Sequence, residues 1–301
     1  MNSKVSFNFN LDFEYEVVAT ISPLIRRVIA RNPSAFTYHG TGTYIVGQGE
    51  VAVIDPGPRI QSHIVALIRA LENEKISHLI VTHTHMDHSP ACVDLKKVSQ
   101  APTYGYGPHG IGKGLVKAEI EEGADWSFIP DILVADGDVI SGRDWTLKAL
   151  HTPGHTSNHL CYHLQEENAL FTGDHVMGWS TTIVAPPDGD MGQYLSSLRL
   201  LLQRNDRCYF PTHGPLIENP QVYVKSLLEH RRLRQDQIIK CLGRGESQIS
   251  QMVNSMYPYL EQEMRPAAAL QVLAALIDLT EQRRVLVSGP PTLESSYAIS
   301  E

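Results

Sequence analysis

The densest chemistry in this chain lies in Thr82-His83-Thr84-His85-Met86-Asp87-His88, where three imidazoles and a carboxylate fall within six positions. Imidazole nitrogen and carboxylate oxygen are the donors that hydrolytic divalent sites use, and no cysteine joins them as a structural thiolate site would require. At the end of a strand, His83 and His85 project toward one centre, and a bend one turn on aims Asp87 and His88 at a neighbouring one. The bland alternative is a chance group of surface histidines, and three further segments count against it. His155 lies in Thr152-Pro153-Gly154-His155-Thr156, Asp174 in Thr172-Gly173-Asp174-His175, and His213 in Pro211-Thr212-His213-Gly214. Each follows an apolar run and sits beside Gly or Pro able to shape a tight loop.

These residues need elements to position them. Between about residues 15 and 215, short β-rich runs alternate with helical stretches, which is an α/β pattern. Thr43–Val46 and Val51–Asp55 are expected as strands joined by Gly47-Gln48-Gly49-Glu50. Ile60–Asn73 has a helical period through Ile64, Leu67, Ile68 and Leu71, and Ile76–His83 is an apolar strand ending in histidine. Further strands are expected at Trp126–Phe128, Val139–Ile140, Trp145–Ala149, Leu160–His163, Ala169–Phe171 and Arg207–Pro211, with a helix at Leu195–Leu202. Every candidate ligand then follows a strand, so all of them share one sheet edge, a common place for a binding cleft. Past Pro220 the texture becomes helical: Val222–Leu242, Gln248–Met256, and Ala267–Glu281 opened by Pro266. Arg284–Val287 and Ser296–Ile299 pair as a hairpin around Gly289-Pro290-Pro291. Three helices and a hairpin give a winged-helix outline, so two domains are expected, 1–220 and 221–301.

Composition excludes several classes. The Gly and Pro share is ordinary, which rules out a collagen-like or low-complexity chain. No apolar run approaches the roughly 20 residues of a membrane span. Residues 1–16 combine Lys4 with Asp12, Glu14 and Glu16, unlike a secretory or transit segment, and a cytoplasmic location is expected. The four scattered cysteines include no Cys-x-x-Cys, and buried reduced thiols are expected. The net charge of −8 resides in the main body, because residues 222–289 hold nine Lys and Arg against seven Asp and Glu. That balance disfavours indiscriminate nucleic-acid binding.

The series His-x-His-x-Asp-His, Thr-Pro-Gly-His-Thr, Gly-Asp and a last His resembles the metallo-β-lactamase-fold hydrolases over roughly residues 15–215. The resemblance implies a four-layer αβ/βα sandwich with a two-metal site in a groove at one edge. It implies that His83, His85 and His155 hold one metal, that Asp87, His88 and His213 hold the other, and that Asp174 bridges them. Asp55, in Asp55-Pro56-Gly57, matches a supporting loop near the site. Two zinc ions are the expected cofactors, with manganese or iron also suited to these ligands. The expected scheme is hydrolysis by metal-bound hydroxide, with Asp87 orienting that hydroxide or taking its proton. True β-lactamases of this fold commonly carry Cys or Arg where this chain has Asp174 and His88, so antibiotic hydrolysis is not the expected role.

With the winged-helix outline and the Gly-Asp-His-Val loop, the chain is most similar to the β-lactamase-like protein 2 group, whose animal members are single-strand-specific endoribonucleases. That implies cleavage of RNA phosphodiesters. The alternative is a thioesterase or lactonase of the glyoxalase II-like branch, and the non-enzyme alternative is a binding module on the same fold. A lost ligand would have favoured the last, and none of the seven is lost. Partners are therefore a small molecule or single-stranded RNA, with no membrane and no sequence-specific DNA; homo-oligomers are compatible.

Other candidates carry two readings each. His175 is a proton donor to the leaving group or a packing histidine. His159 contacts ligand residues or substrate. Trp179, Ser180 and Thr181 contact a polar or ring-bearing substrate, or belong to an ordinary loop. Arg231, Arg232 and Arg234 could touch phosphates, but Glu229 and Asp236 flank them and a solvated helix face is preferred.

Overall fold

The computed structural model describes residues 5–113 and 123–300, so Lys4 of the N-terminal reading lies outside the described residues. Seven strands form the first sheet in chain order: β1 (Ala19–Thr20), β2 (Ile25–Ile29), β3 (Gly42–Val46), β4 (Glu50–Ile54), β5 (Lys75–Ile80), β6 (Thr103–Gly105) and β7 (Ile132–Leu133). It is antiparallel from β1 to β4 and parallel from β4 to β7. The parallel half needs crossovers, supplied by α1 (Gln61–Ala70) and α2 (Cys92–Ser99). The second sheet holds β8 (Val139–Ser141), β9 (Thr146–His151), β10 (Leu160–Leu164), β11 (Ala169–Gly173) and β12 (Cys208–Pro211), in the order β12-β11-β10-β9-β8. Between β11 and β12 runs α3 (Met191–Leu202), whose first turn is capped by Asp190 accepting from Gln193 N at 3.0 Å.

The two sheets face each other across Ile25, Tyr44, Ile54, Ile80, Trp145, Leu160, Tyr162 and Phe171, all essentially inaccessible. On the outer face of the first sheet, Leu67 of α1 and Leu95 of α2 pack against Val53 and Leu79. On that of the second, Tyr194 and Leu198 of α3 pack against Leu170 and Tyr209. Strands buried on both faces read as continuous apolar runs, as β4 and β11 do. The result is a four-layer αββα sandwich.

The remainder comprises α4 (Pro220–Gly243), α5 (Ile249–Met256), a short 3-10 turn at Gln262–Met264, α6 (Arg265–Glu281) and a hairpin of β13 (Val285–Val287) and β14 (Tyr297–Ile299). These make their own core around Ile238, Met252, Leu276 and Tyr297. The expected boundary at 220/221 falls at the start of α4, and α4 serves both cores: Val224 and Leu227 pack with α3, whereas Ile238 and Leu242 pack with α5 and α6. No helix among the described residues is long and apolar enough to cross a membrane. Cys92, Cys161, Cys208 and Cys241 are buried free thiols.

Two expectations need correction. Trp126–Phe128 is a turn, held where Asp125 accepts from Ser127 N at 3.0 Å, and Phe128 buries its ring under the first sheet from that turn. Arg231 is buried rather than solvated, with 6% of its surface exposed. It shares a helical stripe with Val224, Leu227, Gln235 and Ile238, at the spacing that turns residues inward.

Candidate metal centre

The edge where ligands were expected is where the two sheets are tied together. Leu160 N donates to Thr82 O at 2.8 Å, Tyr162 Oη to Val81 O at 3.1 Å, Gly42 N to Thr212 O at 2.8 Å and Tyr44 Oη to Pro211 O at 2.7 Å. These bonds bring the segments after β5, β9, β11 and β12 to one place. There His83 Nε2 lies 3.0 Å from His85 Nδ1, and His155 Nε2 lies 3.2 Å from the same atom. Beside them, His213 Nε2 and His88 Nε2 lie 3.0 and 3.4 Å from Asp87 Oδ2. Asp174 stands between the groups: Oδ1 is 3.4 Å from His213 Nε2 and 3.6 Å from His88 Nε2, and Oδ2 is 3.8 Å from His155 Nε2. All seven expected residues thus come together, His83 with His85 and His155, His83 also with His88 and Asp174, and Asp87 with His88 and His213.

The outward ring nitrogens decide which face each imidazole presents. His155 Nδ1 is 2.6 Å from Ile183 O and His213 Nδ1 is 3.2 Å from Gly40 O. A carbonyl only accepts, so both Nδ1 atoms carry a proton and both Nε2 atoms are the ones that face inward. His88 Nδ1 donates to Asp55 Oδ2 at 2.9 Å. Thr82 Oγ1 gives its proton to Asp55 Oδ2 at 2.8 Å and therefore accepts from His83 Nδ1 at 3.1 Å. Such outer bonds fix tautomer and orientation in metal-binding histidines. His88 Nε2, Asp174 Oδ1 and His213 Nε2 are buried without a hydrogen bond. Inward ring nitrogens and a carboxylate oxygen left in that state fit divalent cations.

Electrostatics mark the same atoms. Burial opposes charge on His88 and His213, yet Asp87, Asp55 and Asp174 raise the first well above the usual imidazole range, and Asp174 with Asp87 raises the second to about 10. A cation held there would take the place of their Nε2 protons. Burial opposes charge on Asp174, yet His213 and His88 hold its carboxyl well below the usual carboxylate range, and His88 with His213 does the same for Asp87. Both carboxylates are ionised. Burial, reinforced by neighbouring His88, His85 and His155, keeps His83 neutral.

Tight backbone approaches make the loops possible. At Gly154 a Cβ would stand 2.3 Å from Tyr194 Cα, and φ is +140°, so the turn before His155 lies directly on α3. At Gly173, with φ +51°, a Cβ would meet His159 Nε2 at 2.6 Å. That same His159 Nε2 accepts from Asp174 N at 3.2 Å, and its ring stacks on His83 at 5.2 Å. His159 is fully buried behind the ligands. His175 lies outside the ligand set, its ring against Tyr194 at 4.9 Å; burial, with His155 and Arg231, lowers its pKa to about 3, so it is neutral near neutral pH. Trp179 stacks on Tyr38 at 4.9 Å and lies over Gly214, next to His213. Ser180 and Thr181 are half-buried, and Asp87 is a quarter exposed beside the exposed Met86.

The chain matches the metallo-beta-lactamase superfamily over residues 38–213 and the beta-lactamase associated winged helix domain over 249–290. It belongs to the metallo-β-lactamase superfamily. Within it, the chain is 29% identical over 299 residues to the lactamase-like protein adaB of Aspergillus niger, covering 94% of this chain and 88% of that protein. It is 31% identical over 280 residues to an atrochrysone carboxyl ACP thioesterase of Aspergillus chevalieri, covering 89% and 84%. Among solved structures, a metallo-beta-lactamase family protein of Thermus thermophilus superposes with a TM-score of 0.75 at 20% identity, over 93% of this chain and 100% of that one. These curated relatives are named as lactamase-like and thioesterase proteins, which supports the superfamily and not specifically the expected endoribonuclease-type subgroup.

Reasoning from sequence missed several supports. Thr41 Oγ1 donates to Asp87 Oδ2 at 3.4 Å, and Asn32 holds Thr41 through Nδ2 to Oγ1 at 3.0 Å and Oδ1 from Thr41 N at 2.9 Å. Thr182 Oγ1 donates to Asp174 O at 2.7 Å. Gly40 and Ile183 act through carbonyls, which every residue possesses, so no residue type could have signalled them.

Proposed function

We propose that this chain is a metal-dependent thioesterase, hydrolysing an acyl group held as a thioester. The observation that carries the reading is the likeness to an atrochrysone carboxyl ACP thioesterase, 31% identical over most of both chains. The all-nitrogen-and-oxygen ligand set supports it, because it is the donor set of a hydrolytic site.

We assign His83, His85 and His155 to one cation and Asp87, His88 and His213 to a second, with Asp174 shared, and zinc as the metal. Such a pair supplies Lewis acidity toward the thioester carbonyl and acidifies water. Asp87, part-exposed on the open side by Met86, orients the attacking water and takes its proton at the carboxylate. The Tyr38–Trp179 stack beside His213, with Ser180 and Thr181, forms the wall against which the acyl part is placed. His159 and His175 act behind the ligands: His159 holds the Asp174 backbone, and neutral His175 packs on Tyr194 instead of donating a proton. Asp55 holds His88.

The test is a substrate panel on protein reconstituted with zinc. Acyl thioesters on pantetheine and on an acyl carrier protein are compared with bis(p-nitrophenyl) phosphate and single-stranded RNA. Thiol release from the thioesters is expected, with Asp87→Asn slowing it by about 10²–10⁴-fold. Turnover of the phosphodiesters alone would overturn the thioesterase reading in favour of the endoribonuclease-type one.

A further inference from the structure

The loop after Asp174 carries more than the candidate substrate wall. Residues 181–185 have no regular secondary structure, yet they touch two ligands at once. Thr182 Oγ1 donates to the Asp174 carbonyl at 2.7 Å and reaches the His175 carbonyl at 3.0 Å; one residue on, Ile183 O accepts the Nδ1 proton of His155 at 2.6 Å. The orientation of Asp174 and of His155 therefore depends in part on this irregular segment, beside the bond from Asp174 N to His159 and the packing of Gly154 on α3. Val184 anchors it in the core under α3, and its Thr182 carbonyl is held from the C-terminal helices. Arg231 Nη2 of α4 donates to Thr182 O, and Gln271 Nε2 of α6 donates to the same oxygen at 3.0 Å. Arg231 Nη1 in turn donates to Gln271 Oε1 at 3.1 Å, so the two side chains brace each other around one carbonyl.

Arg231 is placed for this at some cost. It is 6% exposed, and among the described residues its charge is met by a carbonyl, an amide oxygen and the face of Tyr194, 5.1 Å away, rather than by a carboxylate. The other face of that arrangement leads back to the metal centre. Tyr194 packs on His175, the neighbour of Asp174, and the backbone at Tyr194 abuts Gly154, the neighbour of His155. Both routes from Arg231 end on the same two ligands.

We propose that the C-terminal helical unit is a working part of the metal centre, in which Arg231 and Gln271 are positioning residues that clamp Thr182 and thereby set Asp174 and His155. The unit need not bind nucleic acid or a partner to be required; it completes the support of the first cation site. The proposal holds whichever substrate the enzyme takes.

The test measures zinc affinity by competition with a chromophoric chelator on full-length protein, together with the absorption spectrum of the cobalt-substituted form. Arg231→Met keeps length and apolar packing while removing both donors, and Gln271→Leu removes the second. Each is expected to weaken binding at the His83/His85/His155 site by about tenfold, at the low end of the range for outer partners of metal ligands, and to alter the cobalt spectrum. Arg231→Lys, which keeps one donor, falls between. Arg232→Met, on the same helix but ion-paired at the surface with Glu229 and Asp236, leaves both readouts unchanged. Folded Arg231→Met with wild-type affinity and spectrum, or a loss matched by Arg232→Met, overturns the proposal. If Arg231→Met does not fold, Gln271→Leu decides by the same criteria.

Discussion

Asp55 offers a sharp test of how the ligands are held. Its carboxylate is 1% exposed and receives four protons: Oδ1 accepts from Thr82 N at 2.8 Å, and Oδ2 from Thr82 Oγ1, Thr212 Oγ1 and His88 Nδ1 at 2.8, 2.9 and 2.9 Å. The residue has φ +48°, a left-handed conformation that Asp and Asn tolerate better than most side chains. Asp55→Asn therefore keeps the backbone and shape and changes only the donor pattern. An amide facing four donors must place its NH2 against one group that cannot turn away. If the NH2 takes the Oδ1 place it opposes the Thr82 backbone N–H, which has no other state. If it takes the Oδ2 place the two hydroxyls rotate, and His88 yields by moving its proton from Nδ1 to Nε2. The second outcome is the less costly, and it aims an N–H where His88 offers a lone pair to a cation. Zinc can reverse the tautomer only at the expense of binding energy, so the second site should weaken by about 10–100-fold, equivalent to roughly 1.4–2.7 kcal/mol. Losing hydrogen bonds to a charged group should also lower unfolding stability by about 1.5–3 kcal/mol. Zinc retained against graded chelator, counted by elemental analysis, reads the first effect; urea denaturation of metal-free protein reads the second. Two zinc ions held by Asp55→Asn with wild-type affinity would refute the tautomer argument.

Two further outcomes concern groups away from the ligand atoms and the loop backbone. His63 is buried with Nε2 donating to Pro56 O at 3.1 Å and Nδ1 without a hydrogen bond, and burial lowers its pKa to about 4. The folded state thus binds fewer protons than the unfolded state, whose histidine has a pKa of about 6.5. Stability is full above that value and declines as pH falls through the window to about 4, by about 3 kcal/mol from this residue. His63→Gln should flatten the decline between pH 6.5 and 4 relative to wild type, and parallel stability–pH curves would show that His63 contributes none of it. Gly154→Ala drives a methyl into the α3 backbone at a φ of +140°. Overpacking and backbone strain together should cost about 2–6 kcal/mol and lower metal retention through His155, whereas unchanged denaturation and zinc content would show that the turn relaxes freely.

The convergence of the seven candidate residues was legible because each couples a rare residue type to a strand end and a Gly or Pro turn, and the strands β3–β5 and β8–β12 were legible as dense apolar runs. Less was visible where tertiary contact overrides local pattern. β2 reads Ile-Arg-Arg-Val-Ile, and Arg27 is nevertheless buried. α2 has only eight residues, follows Ala91, which offers no side-chain cap, and mixes Asp94, Lys96 and Lys97 among its apolar positions. Trp126 and Phe128 have strand-like side chains, but Asp125 turns the backbone there. Arg231 was legible and was misread. Its charged neighbours suggested a wet face, while its spacing from Val224, Leu227 and Ile238 placed it inside.

The supports divide by origin, which makes the two proposed cation sites separable by mutation. The second set is held from the first sheet: Asp55 follows β4 and binds His88, while Gly40 and Thr41 precede β3 and bind His213 and Asp87. In the first set, His155 is held from the loop that α4 and α6 clamp. Asp174 belongs to both, and Asp55 reaches His83 through the Thr82 hydroxyl. Asp55→Asn should therefore act mainly on the second site and Arg231→Met mainly on the first, because the clamp on Thr182 reaches the second set through Asp174. Sites more than about 7–10 Å apart without shared partners add independently, whereas these two mutations share Asp174. The double variant should depart from the summed effects of the single ones, and the size of that departure measures how stiffly one carboxylate couples the sheet-held half of the centre to the helix-held half. Strict additivity in zinc affinity would show that Asp174 transmits nothing between them.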